Sequence, residues 1–545
     1  LRIALNIFAF FAALAAVVAC LQLLLGGGGE ERVEQPVNWA EVEPRPGETA
    51  RLRWLGPPLF PSAREGTWIE RNLEEALDIE LNPVILDMNS YLRRKPMMMA
   101  GGDVPDVVWE SSPTILQADA YHGFLLDVPV EVIEKHAPHY VKKLEQVAPT
   151  AWLLSHYEDR NYGVPLFAIA GQYPRPGLWR KDWLEAVGMD VPETLDEFRE
   201  AMRRFRYDDP DGNGVQDTYG TTPSISGPLF FARIFGLYDV DPYDWKREGE
   251  RLAWGGIQPE TRRVLGMIQE MYAEGVIDPD FLAIPPGSQV NIVRQKLESG
   301  QIGYLDIFGA WMQVNPHLQD SLSIVYSIKK LNPDAELVPG KPLRDNGRVS
   351  KMPVSGSSTT VLAFGRHLKD EPYKVVRVLI MLDRLARDTE LHAQSTIGER
   401  GTHWQYEPKA GVQFMGKYRE ERKSHFLTRL DERTAFFAPF SLDEEEIEPY
   451  LAEGEAEYLA TRQAPEYALF SPLPGGSAVV PGLSEIMAEP QALQEKVFAE
   501  IVLGERPLED FGWFVEEWKR LGGEEATGRV NAYYEQAEEL LERLG

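Results

Sequence analysis

The residues whose types and spacing point most directly to chemistry lie in one loop, Asp209-Pro210-Asp211-Gly212-Asn213-Gly214-Val215-Gln216-Asp217-Thr218-Tyr219-Gly220. Side-chain oxygens fall at loop positions 1, 3, 5 and 9, the Val215 carbonyl is available at position 7, and Gly214 sits at position 6, where an EF-hand-type loop turns sharply. Hard oxygen donors without a neighbouring Cys or His select a hard cation, and this many donors suit the flexible shell of Ca²⁺ better than Mg²⁺. The expected site is a structural Ca²⁺ held by Asp209, Asp211, Asn213, Val215 and Asp217. Position 12, where a bidentate Glu belongs, is Gly220, so the remaining ligands come from water, Thr218 or a carboxylate elsewhere. The alternative is an ordinary Asp/Pro/Gly/Asn turn. With position 12 absent, the loop reads as a staple more than a sensor.

Other stretches that resemble catalytic motifs fail on their own residues. Gly411-Val412-Gln413-Phe414-Met415-Gly416-Lys417 has the spacing of a phosphate loop, but Tyr418 stands where a metal-binding Ser or Thr belongs and Phe-Met fills the loop. His136-Ala137-Pro138-His139 carries a helix-breaking Pro and no Glu, so it is a surface turn and not a zinc pair. Gly475-Gly476-Ser477-Ala478-Val479 lacks the last glycine of a nucleophile elbow, and Glu444-Glu445-Glu446 is a solvated acidic run.

The whole chain, 545 residues that are 43% hydrophobic, can bury large cores and should divide into at least two domains. A formal charge of −29 disfavours nucleic acid and anionic lipid as general partners. The single cysteine, Cys20, excludes an intramolecular disulfide and a cysteine metal cluster. It follows Arg2 and the apolar run Ile7 to Ala19, the order of an export signal, and Val17-Val18-Ala19-Cys20 resembles a bacterial lipobox. Residues 1–20 then form a signal peptide, Cys20 is lipidated, and 21–50 is a tether. An uncleaved anchor is the second reading, because Leu23-Leu24-Leu25 prolongs the apolar run toward bilayer-spanning length. Both place the rest of the chain outside the cytoplasm.

From residue 51 the pattern is α/β. Arg51 to Gly56 alternates like a strand, Thr67 to Leu77 has helical apolar spacing, and Ile79-Glu80-Leu81 starts a second strand. Met98 to Trp109 is a glycine-rich turn leading into a short buried strand that suits a cleft wall, and Gly171 to Gly177 marks a boundary or crossover. Trp183 to Val187 is a helix stopped at Gly188, and Thr194-Leu195-Asp196-Glu197 is a capping box opening a helix to about Arg206, directly ahead of the metal loop. Leu508, Phe511, Val515, Trp518 and Leu521 recur at helical spacing before Gly522-Gly523, which marks them as core.

Gly102-Asp103-Val104-Pro105-Asp106, Trp179-Arg180-Lys181-Asp182-Trp183-Leu184 with Val191-Pro192-Glu193-Thr194, the metal loop, and Leu503-Gly504-Glu505 through Asn531 together resemble the extracellular solute-binding lipoproteins of bacterial carbohydrate ABC importers, the alginate-oligosaccharide-binding proteins among them. The resemblance implies a two-lobed, type II periplasmic-binding-protein-like α/β fold, each lobe a sheet flanked by helices, with 51–170 plus about 356–400 in lobe 1 and 171–355 plus about 401–545 in lobe 2. It implies a structural Ca²⁺, no enzymatic activity, an oligosaccharide ligand, a permease partner, membrane attachment through the N-terminal lipid, and a monomer. Gln172-Tyr173 is similar to a sugar-contacting pair of the alginate binders, and Trp311 and Trp404 fall near their aromatic platforms. Tyr406 and Trp109 rest on position beside cleft loops, with Trp109 more simply core. Aromatics are expected because a pyranose has an apolar face to lay on a ring, while its hydroxyls need a few fixed polar partners. The competing class is a calcium-stabilised carbohydrate-active hydrolase or lyase, whose paired carboxylates no single sequence reveals.

Overall fold

The computed structural model describes residues 36–56, 66–86, 88–167, 174, 176–223, 231–284, 289–306, 323–354, 358–409, 411–416, 446, 448–450, 467–473 and 476–544. Residues 1–41 and 42–545 are separate units, and the first contributes a short turn at Trp39–Glu41.

The second unit begins with β1 (Ala50–Leu55), whose Leu52 and Trp54 turn inward while Arg51 stays exposed, so the alternation seen in the sequence is a strand's. Thr67 accepts the Glu70 N–H and Glu70 returns the bond to the Thr67 N–H, a capping box that starts α1 (Trp68–Leu77). Asp78, at φ 53°, ends the helix and turns the chain into β2 (Ile79–Val84), parallel to β1. The helix α2 (Met88–Ala100) leads to β3 (Val107–Glu110), parallel to β1 and buried at all four positions, and α3 (Pro113–Tyr121) follows with Ser112 as its N-cap. The sheet's far edge is β4 (Gly163–Phe167).

A second sheet gathers around β5 (Leu178–Arg180). The short α4 (Lys181–Ala186) stops at Gly188, φ 69°, and the Thr194–Glu197 capping box starts α5 (Leu195–Tyr207), both as the sequence predicts. After β6 (Tyr219–Thr221) come the hairpin β7 (Trp245–Glu248) and β8 (Arg251–Trp254), then α6 (Pro259–Ala273), β9 (Ile302–Leu305) and β10 (Leu337–Pro339). The order is β10-β5-β9-β6, with β9 parallel to β6 and antiparallel to β5. Its core is aromatic: Trp179 lies 4.3 Å from Tyr304 and 5.5 Å from Phe198, and Trp183 lies 5.5 Å from Phe205, centroid to centroid.

The chain then crosses between the sheets. Ser350, whose hydroxyl donates to the Arg233 carbonyl at 2.6 Å, precedes β11 (Met352–Val354), and a few residues later β12 (Ser358–Phe364) enters the first sheet between β3 and β4, antiparallel to both. The hairpin β13 (Trp404–Glu407) and β14 (Gly411–Phe414) packs toward α1, with the His403 ring 5.1 Å from that of Trp68. A regular β-strand at Gly411–Phe414 is not a phosphate loop. Next, β15 (Ala468–Phe470) pairs in parallel with β11, and α7 (Leu483–Val502), α8 (Phe511–Trp518) and α9 (Glu524–Leu544) finish the chain. Phe511 and Trp518 are core as expected, joined by Phe514, and Trp518 stacks on Trp254 at 6.2 Å. Gly522, at φ 126°, makes the kink into α9 that a side chain would oppose.

Gly303 tests the aromatic core. A Cβ there would lie 2.2 Å from the Phe205 ring, so Gly303→Ala should cost about 1–3 kcal/mol through overpacking. Thermal unfolding checks this. The expected contrast is Gly347→Ala, which has open space around it but a φ of 81°, and so should show only the smaller backbone cost of about 1 kcal/mol.

Candidate functional site

The loop between α5 and β6 is held from its ends. Thr218, buried, donates to the Phe205 carbonyl at 2.5 Å, and the Arg206 guanidinium donates to the carbonyls of Gln216 and Thr218 at 2.8 and 3.2 Å. Inside, Asp209 accepts the N–H groups of Asn213 and Gly214 at 3.1 and 3.0 Å, and Asn213 Oδ1 accepts the Val215 N–H at 2.6 Å. Gly212 and Gly214, at φ 68° and 74°, supply the left-handed turns. The Asn213 amide NH₂ lies 2.9 Å from an Asp211 oxygen and 3.3 Å from one of Asp217. Partial burial and the neighbouring Asp209 and Asp217 raise the Asp211 carboxyl above its ordinary range. Among the described residues, no three His, Cys, Asp or Glu side chains form a ready-made metal group. The donor set nonetheless suits a hard cation: three carboxylates, an amide oxygen and the Val215 carbonyl, with mutual repulsion left for a positive charge to relieve.

A central strand of each sheet ends on a buried charge pair. At the end of β3, Glu110 is fully buried against Lys95, whose ammonium also lies 2.7 Å from Asp119. Just past β9, Asp306 accepts from Arg233 at 2.6 Å and from the Tyr304 hydroxyl at 2.7 Å. Burial raises the Asp306 carboxyl, and Arg233 opposes the shift. Carboxyl ends of strands are where open α/β sheets present ligand sites.

A third cluster lies where the chain passes between the sheets. Asp241 accepts the Tyr243 N–H at 2.9 Å, and Asp244 accepts the Trp245 N–H at 2.8 Å and the Ser471 hydroxyl. The Trp245 indole donates to Ser477 at 3.0 Å, and from the other side Thr114 and Gln117 of α3 donate to the carbonyls of Ala478 and Val479, each at 3.0 Å. Neither Asp241 nor Asp244 forms an ion pair with a described residue, and both are closely surrounded while still reaching solvent. Burial pushes Asp241 up to about 7, helped by the charge of Asp244, and burial pushes Asp244 up to about 6. Phe470, next to Ser471, is 50% exposed. Carboxylate acceptors beside an open ring match the demands of a polyol with an apolar face.

The structure redistributes the residues expected to contact ligand. Gln172, Tyr173 and Trp311 lie outside the described residues, as does Cys20. Trp404 is not an open platform. It is 4% exposed, its indole N–H donates to the Gly398 carbonyl at 3.0 Å, and Tyr450 packs 5.6 Å away, because the tight β13–β14 hairpin folds the ring inward. Tyr406 is half-buried opposite Val412 in that hairpin. Trp109 is core, and its carbonyl accepts from the Tyr91 hydroxyl at 2.7 Å. Asp241, Asp244 and Phe470 were not singled out by sequence. The only signal, two acids around Pro242-Tyr243 and a Phe470-Ser471-Pro472 turn, is common to surface loops. A cavity of about 730 Å³ near the end of α9 is lined by Asp159, Gln536, Glu539, Glu542 and Arg543 and offers no aromatic face.

No family model matches the chain. It is 24% identical to lipoprotein LipO of Bacillus subtilis over 485 residues, 85% of this chain and 88% of LipO. It is also 24% identical over 401 residues to the polygalacturonan/rhamnogalacturonan-binding protein YtcQ of the same species, covering 70% of this chain and 72% of YtcQ. Among solved structures, the ABC-transporter substrate-binding protein FusA of Streptococcus pneumoniae, in complex with kestose, superposes with a TM-score of 0.61 at 14% identity, covering 90% of this chain and 99% of FusA. An EF-hand mutant of FusA, in complex with fructo-nystose, superposes at 0.60. Sequence likeness along most of the chain and a shared two-lobed α/β fold make this protein similar to the solute-binding proteins of bacterial ABC importers.

Proposed function

We propose that this protein captures an oligosaccharide between its two lobes and delivers it to the permease of an ABC importer. The observation that carries the reading is the combination of fold agreement, over 90% of this chain, with a kestose-bound substrate-binding protein and sequence likeness to a polysaccharide-binding relative. The junction cluster supplies matching chemistry: Asp241 and Asp244 accept sugar hydroxyls, and Phe470 covers an apolar sugar face. Contacts from both lobes favour the closed state, since a ligand shifts the equilibrium only by its differential affinity. A screen of oligosaccharides by thermal shift identifies the ligand, because a compound that binds only the folded state raises Tm.

With that sugar in hand, Phe470→Ala should weaken binding by about 1–3 kcal/mol with little change in Tm, whereas truncating the buried Trp404 should cost about 3–5 kcal/mol of stability. Calorimetric titration beside thermal unfolding separates the two. Normal binding by Phe470→Ala would remove that residue from the site. The carboxylates add a pH signature. Both are raised in the folded protein, so they ionise between about 6 and about 7, and hydroxyl donors bind the ionised forms better. Affinity should therefore rise as pH increases through that window and flatten in Asp241→Asn/Asp244→Asn.

The Asp209–Asp217 loop we assign to a structural Ca²⁺, with Asp209, Asp211, Asn213, Val215 and Asp217 as ligands. The oxygen spacing, the raised Asp211 carboxyl and the EF-hand named for FusA support this. When bound, the cation supplies positive charge that cancels carboxylate repulsion, while the chain's own bonds from Arg206 and Thr218 fix the ends of the loop. Chelator should lower the wild-type Tm, and Asp209→Ala should lower it further and abolish the response. An unmoved wild-type curve would make the loop an ordinary turn.

Attachment follows from Cys20, given the lipobox-like segment and the lipoprotein relative LipO. Cys20→Ala should release the protein from membranes without altering sugar binding, since a single lipidated residue is the anchor in this reading. Retention of the variant in the membrane fraction would favour an uncleaved N-terminal helix.

A further inference from the structure

The helix α2 is built inside out. Its inner face carries Tyr91, Lys95 and Met99, and its outer face leaves Leu92 and Met97 57% and 75% exposed. Lysine is the residue least expected inside, and it is there because two carboxylates are waiting for it. The Lys95 side chain is 3% exposed, that of Glu110 fully buried, and that of Asp119 11% exposed.

One cation and two anions leave a net negative charge in a site nearly shut off from water, an arrangement that low dielectric penalises heavily. Two further facts show how the site resolves it. Glu110 Oε2 faces Lys95, but Glu110 Oε1, although buried, has no hydrogen-bond partner among the described residues. The Asp119 carboxylate stands within hydrogen-bonding reach of Glu110. Two carboxylates at that distance repel when both are ionised and bond when they hold a proton between them. A single added proton would relieve both the orphan oxygen's residue and its repulsion by the second carboxylate.

We propose that Glu110 and Asp119 share one proton beneath the Lys95 ammonium, and that this proton fastens α2 and α3 to the end of β3. With it the triad is neutral; without it the triad carries one uncompensated negative charge. The groups facing the pair are Lys95 and Tyr91 from α2 and Asp119 from α3, while β12 contributes the apolar Val361 opposite Glu110. Burial, with the charge of Asp119, pushes Glu110 up to about 8 against the pull of Lys95, so the proton is held at neutral pH. The consequence reaches beyond the triad. Helix α3 holds the Ala478 and Val479 carbonyls through Thr114 and Gln117, so losing the proton loosens the clamp on the segment that passes Trp245 and the junction carboxylates. The latch is independent of which ligand the protein carries.

The sign of the pH dependence follows. In the unfolded chain Glu110 releases its proton near the ordinary 4.5, and in the folded chain it does so at about 8, so the folded state loses stability as pH rises across that interval and levels off above it. Unfolding of the purified protein is measured from about pH 5.5 to about pH 9.5 for wild type and Glu110→Gln, the neutral isostere. Asp241 and Asp244 contribute the same slope to both proteins below about 7, so the difference between the curves isolates Glu110. Tm of the wild type should fall relative to the variant as pH rises from about 5.5 to about 8 and hold a constant offset above that. Subtracting the Glu110→Gln infrared spectrum from that of wild type, which cancels the Asp241 and Asp244 bands common to both, should leave a carboxylic-acid C=O stretch at neutral pH that disappears at the alkaline end. Should Glu110→Gln not fold, Asp119→Asn serves in its place, since it removes the partner carboxylate and leaves an ionised Glu110–Lys95 pair without the band. Parallel unfolding curves, or a neutral-pH spectrum in which wild type and variant are alike, would overturn the shared proton.

Discussion

The arrangement of this protein depends on one strand. Ser358–Phe364 enters the first sheet late in the chain and lies antiparallel between Val107–Glu110 and Gly163–Phe167, two strands that would otherwise be unconnected at the centre of the sheet. Because Met352–Val354 is tied to the helix after Tyr219–Thr221 through Ser350 and Arg233, the chain must pass from one half to the other within a few residues. The first half therefore cannot complete its sheet from one continuous stretch. The crossing brings Val354 and Phe470 side by side.

A chain of net charge −29 must place many carboxylates, and the buried ones are handled in different ways. Asp306 has Arg233 and Tyr304, a nearly neutral group that locks the end of Ile302–Leu305. Glu110 and Asp119 compete for Lys95, which leaves one oxygen without a partner among the described residues. Asp241 and Asp244 have backbone and hydroxyl donors but no cation among the described residues, which costs stability. Unrelieved charge of that kind is tolerated where binding uses it. The Asp209–Asp217 loop follows the same logic at the surface, with carboxylates brought together by glycine turns.

Local signals were legible wherever backbone chemistry decides structure within a few residues. The Thr194–Glu197 capping box, the stop at Gly188 and the strand at Arg51 to Leu55 all stand where the residue pattern puts them, because each depends on a hydrogen bond or a dihedral angle within one turn. The combination of motifs also pointed to the fold, which the superposition on FusA bears out. Aromatic exposure was not legible in this way. Trp404, between His403 and Gln405, reads as a surface residue, but a Gly398 carbonyl and the Tyr450 ring supply it with a pocket.

By itself, then, the sequence determined the α/β alternation, the helix ends, the oxygen spacing of the Asp209 loop and the place of Cys20, all properties of short segments. Only the tertiary structure decided that Lys95 points inward while Met97 points out, that Phe470 lies open beside Asp244, and that Glu110 meets Asp119. The reason is that a side chain's surroundings come from strands and helices far along the chain. Charge, burial and proton affinity belong to those surroundings, and no window of neighbouring residues contains them.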